Sequence, residues 1–299
     1  MRRSATSARS KKQEEHQKRF GAVYMTLNNP FYEIIDEEIR TEVEKHGDVL
    51  LSRDPALSVE KQTEEIEDLI REGVSVIFLN PVDFERMGPA LEAARAAHIP
   101  VVTIDTNVQD SDFVASTIET DNYAAGRACA EHLLQHADHA NILLLKHSSA
   151  HSAVDRITGF RQTIAGHPGF TIVDEEECDG QLERAMPAMQ EMLSRHPEAD
   201  TVMALNDPSA LGAMAALESC GRLQSFRVYG VDGVPETKEL ILAGRMTATA
   251  AQSPRRIGRL AAQQAYRLLD GEPVDRLIQL PTHLWTQENL TPAKTKEWD

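Results

Sequence analysis

FGAVYMTLNNPFYEIIDEEIRTEVEKHGDVLLS, residues 20–52, is the unit from which the rest of the chain is built. It opens on an unbroken apolar run, FGAVYM (20–25), and closes on another, DVLLS (48–52). Between them Asn29 is placed to cap a helix beginning at Pro30. A short carboxamide accepts from the first free N–H groups, and the fixed φ of proline suits the first turn. Ile34, Ile35, Ile39 and Val43 recur along one helical face, and Gly47 supplies the stop. Strand, helix and strand joined by such short links form a crossover unit of a parallel sheet.

The unit repeats downstream. Further apolar runs are VSVIFL (74–79), IPVVTID (99–105), ANILLL (140–145), FTIVD (170–174), TVMAL (201–205), FRVYGVD (226–232) and MTATAAQ (246–252). Most are continuous instead of alternating, as strands buried on both faces are. Ser58 opens a second helix with a stripe of Ile66, Leu69 and Ile70 closed by Gly73, and Asp121 caps a third that runs through Leu133. The class is α/β, doubly wound. A chain of 299 residues fits two smaller sheets better than one very wide one. Met25-Thr-Leu-Asn-Asn-Pro30 and Met203-Ala-Leu-Asn-Asp-Pro208 form a weak internal echo of strand, Asn-Asx-Pro and helix, and SDFVASTIETDN (111–122) is the expected crossing between lobes.

Composition narrows the function. Hydrophobic residues make up 41% and charged ones 26%, an ordinary globular profile, and the net charge of −16 repels nucleic acid from most of the surface. Cys129, Cys178 and Cys220 contain no CxxC pair, so neither a disulfide framework nor a structural zinc site is expected. No apolar run is long enough to span a bilayer. Residues 1–19 read as a disordered or fraying polar arm, too short for a DNA-binding headpiece and without the apolar core of a secretory signal. That leaves a cytoplasmic protein, or one whose signal or membrane anchor is missing from this chain.

In an open parallel sheet, ligands bind outside the carboxyl ends of the strands. Here those ends carry Asn28 and Asn29 followed by Phe31 and Tyr32, then Asp105, Asn206 and Asp207, Asp232-Gly233, and Gln252. Carboxylates and carboxamides suit the vicinal hydroxyls of a polyol, and an aromatic ring can lie against the C–H face of a sugar. Taken alone, Asn29, Asp121 and Asp207 read more readily as helix caps and Asp232-Gly233 as a tight turn; the shared character of five ends favours a binding site. Arg156 reads either as a solvated helix residue or as a fork donating to ligand oxygens. No nucleophile elbow, HExxH, phosphate loop or GxGxxG appears, so catalysis by Asp105 and Asp232 as an acid–base pair is set aside. The pairs His147/His151 and His136/His139 have metal-like spacing but read as surface histidines, so no metal or cofactor is expected.

TLNNPFY (26–32), LNP (79–81), IPVVTID (99–105), TDNYAAG (120–126), Arg156-Ile-Thr-Gly-Phe160, LNDPSALGAM (205–214), VYGVDG (228–233) and TATAAQSP (247–254) occur in that order. With these motifs, residues from about 20 to 290 resemble the type 1 periplasmic sugar-binding proteins, the ribose-binding-protein-like group. These share their fold with the ligand domains of lactose-repressor-type regulators. The resemblance implies two similar lobes joined by three crossings, a hinged clamp over a sugar. The expected lobes are 20–119 with 253–281 and 120–252 with 282–290, followed by a tail at 291–299. Ligand positions carried over are Asn29, Phe31, Tyr32 and Asp105 on the first lobe, Arg156, Asn206 and Asp232 on the second, and Gln252 near the hinge.

The implied protein is a non-enzymatic, monomeric solute-binding protein without cofactor. It works outside the cytoplasm, in the periplasm or anchored at the cell surface, and delivers a small sugar or polyol to an ABC-type permease. The alternatives are a sensor presenting its closed form to a membrane histidine kinase or chemoreceptor, and the effector domain of a regulator lacking its headpiece. Three departures bear on the ligand. Thr106 stands where the ribose-type pattern has arginine, Cys178-Asp179-Gly180-Gln181 where it has an aromatic residue, and Met25 where a small polar residue is common. A charge-assisted donor and one stacking wall are therefore absent.

Overall fold

The computed structural model describes residues 17–298. The polar arm lies, up to residue 16, outside the described residues. Its last residues depart from the expectation: Lys18 donates its backbone N–H to Asp48, and Arg19 already opens the first strand.

The first sheet contains β1 (Arg19–Val23), β2 (Val49–Arg53), β3 (Val76–Leu79), β4 (Val101–Asp105), β5 (Ser116–Thr120) and β11 (Leu277–Leu280), in the order β11-β5-β4-β3-β1-β2. All its pairings are parallel. Helices α1 (Pro30–Lys45), α2 (Val59–Arg71), α3 (Gly88–Ala96) and, from much later in the chain, α9 (Pro254–Leu269) pack on it. The second sheet contains β6 (Ala140–Lys146), β7 (Phe170–Glu177), β8 (Thr201–Ala204), β9 (Arg227–Asp232), β10 (Ala248–Ala251) and β12 (His283–Thr286), in the order β12-β10-β9-β8-β6-β7. It is parallel except at β12, which pairs antiparallel with β10. Its helices are α4 (Asn122–His136), α5 (His151–Ile164), α6 (Leu182–Arg195), α7 (Asp207–Ser219) and α8 (Pro235–Leu242).

Two α/β lobes of the same topology result, and the chain passes between them after β5, after β10 and between β11 and β12. β5, β11 and β12 were not expected. STIET carries a single apolar residue, Ile118, and hides its strand character, while LIQL and HLWT are edge strands with half-exposed faces. The crossing expected over 111–122 narrows to residues 120–122, since most of that stretch is β5 and the turn before it. The internal echo also needs correction. The shared topology makes β1 equivalent to β6 and β8 to β3, so LNDP (205–208) answers LNP (79–81), not the Asn-Asn-Pro after β1. The likeness of 25–30 to 203–208 reflects the common need to cap a helix after a strand.

The caps form as read. Asn29 Oδ1 accepts from Phe31 N at 3.0 Å, Ser58 Oγ from Lys61 N at 3.2 Å and Asp121 Oδ1 from Ala124 N at 2.9 Å. Helices α4 and α5 touch through glycine: a Cβ on Gly126 would sit 1.8 Å from the Arg156 carbonyl oxygen, and one on Gly159 would sit 2.1 Å from that of Tyr123. Only that closeness lets Arg156 on α5 reach Asn122 at the start of α4. After β12 the tail does not hang free. Its 3₁₀ turn Pro292–Lys296 packs on α8, where the Lys238 ammonium donates to the Glu297 carbonyl, and the Trp298 ring lies 6.3 Å from Phe31 of the first lobe.

Candidate functional site

The lobes meet. Phe84 N donates to Ser149 O at 3.0 Å, Ser152 N to Thr106 Oγ1 at 3.0 Å, and Asn28 Nδ2 to Gln181 Oε1 at 3.3 Å. Between them lies a small cavity lined by residues of both lobes. All eight positions singled out from the sequence line it: Asn29, Phe31, Tyr32, Asp105, Arg156, Asn206, Asp232 and Gln252.

The topology explains the convergence. β4 and β9 occupy the same slot in their sheets, and each ends in an aspartate with positive φ, 67° at Asp105 and 133° at Asp232. A non-glycine residue held there is strained, and such strain persists only where surrounding structure enforces it. Both carboxyl groups line the cavity from these strand ends. The Arg156 guanidinium lies between them, 4.0 Å from Asp105 Oδ1 and 3.8 Å from Asp232 Oδ1, too far for a direct hydrogen bond to either. Its own position is fixed, because Nε donates to Asn122 Oδ1 at 2.8 Å and Nη1 to Leu205 O at 3.0 Å. Arg156 is therefore not a solvated helix residue.

The remaining members share capping with lining. Asn29 and Asn206 spend their carboxamide oxygens on N-caps, and Asn206 Nδ2 donates to Gly180 O at 3.1 Å. Tyr32 OH donates to Asp105 Oδ2 at 3.2 Å, and Gln252 Nε2 to Asp232 Oδ1 at 2.8 Å. Four buried polar atoms of the lining have no partner: Asp105 Oδ1, Asp232 Oδ2, Gln252 Oε1 and Arg156 Nη2. Such groups are rare in folded proteins and costly to leave unmet. Burial holds the carboxyls of Asp105 and Asp232 above their ordinary range, with Arg156 pulling both back, and it holds the Tyr32 hydroxyl far above its own.

Two readings change. Asp207 is neither cap nor lining, since Asn206 takes the cap. The Asp207 carboxylate instead accepts from Gly233 N, Val234 N, Thr237 Oγ1 and Thr249 Oγ1, tying the β9–α8 turn together, and burial pushes its carboxyl up to about 6. His147 is not a surface residue: it is buried at the end of β6, lines the cavity, and has its basicity lowered by burial. His151 and His136 are partly exposed, and among the described residues no cluster is arranged to hold a metal ion. Lining positions missed as ligand contacts include Thr26, His147, Ser152, Asp179 and Gln181. The loop 178–181, noted only as a departure, does face the cavity, and Gly180 with φ of +69° brings bare backbone to the wall.

The family described as periplasmic binding protein domain matches residues 20–273. The chain is 32% identical over 254 residues to the ribose import binding protein RbsB of Salmonella typhimurium (strain LT2), covering 84% of this chain and 85% of that one. It is 33% identical over 270 residues to the ribose import binding protein RbsB of Bacillus subtilis (strain 168), covering 90% and 87%. Among solved structures, an ABC transporter solute binding protein from Mycobacterium smegmatis with bound glycerol superposes with a TM-score of 0.85 at 35% identity, over 91% of this chain and 95% of that one.

Proposed function

The chain belongs to the type 1 periplasmic sugar-binding proteins, the sugar and polyol solute-binding family of ABC transporters, and from that membership we propose that it captures a small hydroxylated ligand between its lobes and delivers it to a permease. Delivery takes place outside the cytoplasm, where this family works. Among the described residues no helix is long and apolar enough to cross a membrane.

The observation that carries the reading is the set of four unpartnered buried atoms around one cavity, three acceptors and one donor, contributed by both lobes. Ligand hydroxyls both donate and accept, so a polyol can satisfy all four at once. Asn29, Phe31, Tyr32, Asp105, Arg156, Asn206, Asp232 and Gln252 are the proposed contacts, with Phe31 and Tyr32 supplying the apolar wall. Because the contacts come from both sides, binding favours the closed arrangement over the open one, which is population shift by differential affinity. The moving bodies are residues 20–119 with 253–281 and 120–252 with 282–290. No residue takes a catalytic role in this reading; the two aspartates anchor hydroxyls.

The test is a thermal-shift screen of the purified chain against pentoses, hexoses, pentitols, tetritols and inositols near 1 mM. A ligand with a dissociation constant near 1 μM adds about 4 kcal/mol of stability, a rise of roughly 8–16 °C for a chain approaching this size. A hit that Asp105→Ala abolishes supports the assignment. A hit unaffected by changes at both Asp105 and Asp232 places the ligand elsewhere.

A further inference from the structure

The charges around the cavity do not balance. Asp105 and Asp232 are each 2% exposed and Arg156 3%, so two buried carboxyl groups share one guanidinium. The other titratable groups nearby do not redress the count. His147 on β6 has its basicity lowered by burial, Asp179 in the 178–181 loop is already paired with Arg184, and Tyr32 on α1 holds its proton as a donor to Asp105. Behind Asp232 lies a third buried carboxyl, Asp207, whose charge opposes another negative charge at Asp232. Thr106, next to Asp105, is fully buried and engaged with Ser152, and offers no cation. An uncompensated buried charge costs several kcal/mol.

The unmet atoms describe what is missing. Three acceptors, Asp105 Oδ1, Asp232 Oδ2 and Gln252 Oε1, stand without donors, and two of them are carboxyl oxygens. An alkylammonium group has three N–H donors and one positive charge. The remaining donor, Arg156 Nη2, is left for a ligand hydroxyl or ring oxygen. Resting on the reading of the cleft as a sugar or polyol site, we propose that its preferred ligand is a small hydroxylated amine, an amino sugar or amino polyol with a single positive charge, in place of the neutral analogue.

Isothermal titration of the full chain at pH 7 with matched pairs tests this. Suitable pairs are glucosamine and glucose, 1-amino-1-deoxyglucitol and glucitol, and 2-aminopropane-1,3-diol and glycerol, with N-acetylglucosamine as an uncharged control. Running each pair in two buffers of different ionisation enthalpy counts the protons exchanged. The expected result is an amine that binds at least about tenfold tighter than its neutral partner with no proton taken up, while N-acetylation removes the advantage. In Asp232→Asn and in Asp105→Asn the amine-to-neutral affinity ratio falls toward one, a ratio that general loosening of the site does not move. A neutral partner binding as tightly as its amine overturns the inference and leaves the sugar-or-polyol reading intact; one proton taken up with it would show that protonation of a carboxylate supplies the missing charge. A blank across both members of every pair sinks that reading and this inference with it.

Discussion

Arg156 is the residue on which the cleft depends most. Its guanidinium is held by Asn122 and Leu205 and is the cation facing Asp105 and Asp232. Removing one partner of a buried charge set leaves the others uncompensated, so Arg156→Ala is expected to lose about 3–5 kcal/mol of stability in urea melts at neutral pH. The sign with pH follows from the raised carboxyls. A folded state that holds its protons to higher pH loses stability as pH rises, and without Arg156 the hold is stronger, so the deficit of the variant widens as pH rises above the ordinary carboxylate range. A constant deficit would mean that Arg156 acts by packing alone. Asp105→Ala is expected to weaken ligand binding by about 2–4 kcal/mol in calorimetry, because the groups facing it lose a charged partner. Asp105 was legible as a cleft residue because a parallel sheet fixes where its strand ends lie, whereas Arg156, on a helix, came only with the resemblance. His147 and Gln181 were not legible. No periodicity says how a loop after a strand turns its side chains, and the same gap misplaced Asp207, which differs from Asn206 only by one step around the helix start.

Elements impose the geometry that those residues use. The contact of α4 with α5 leaves no room for a side-chain carbon at Gly126, so Gly126→Ala pushes the Arg156 backbone out of line. The expected cost is about 1–3 kcal/mol in a thermal melt, with a loss of ligand affinity in parallel; unchanged affinity would show that the guanidinium is positioned independently of the helix pair. Strand β5, invisible in the apolar pattern, carries Glu119, whose carboxyl is pushed up to about 7 chiefly by burial, with Asp155 across the lobe boundary adding to the rise and His151 opposing it. Its folded form binds a proton that its unfolded form releases, so it makes stability fall as pH rises between about 4.5 and 7, with a slope of at most about 1.4 kcal/mol per pH unit. Glu119→Gln is expected to flatten that stretch of the stability curve, and an unchanged slope in chemical denaturation would assign it to other groups. Continuous apolar strands and capped amphipathic helices announce themselves in one sequence. Polar-rich and edge strands such as β5, β11 and β12 gain their stability from a neighbour already in place, which a local pattern does not contain.

At the scale of the whole molecule, three polypeptide crossings join the lobes, and in the proposed clamp the contacts across the seam set how often they meet. Thr106, where the resemblance led to a lost ligand donor, is instead part of that seam, accepting from the backbone of Ser152 at the start of α5. Thr106→Val keeps the volume and leaves Ser152 N–H unmet in the closed form, at a cost near 1 kcal/mol. Apparent affinity scales with the closed fraction, so binding is expected to weaken by up to about fivefold, and small-angle scattering of the unliganded variant to show a larger radius of gyration. Equal radii and equal affinity would remove Thr106 from the closure balance. The tail adds a feature of another kind. It is bound to α8 of one lobe while the indole of Trp298 rests near Phe31 of the other, and the chain has only one further tryptophan, Trp285 on β12. Separation of the lobes moves the indole and the Phe31 ring apart, so the emission of Trp298 in a Trp285→Phe background becomes a native optical gauge of how far the clamp stands open, with no label attached.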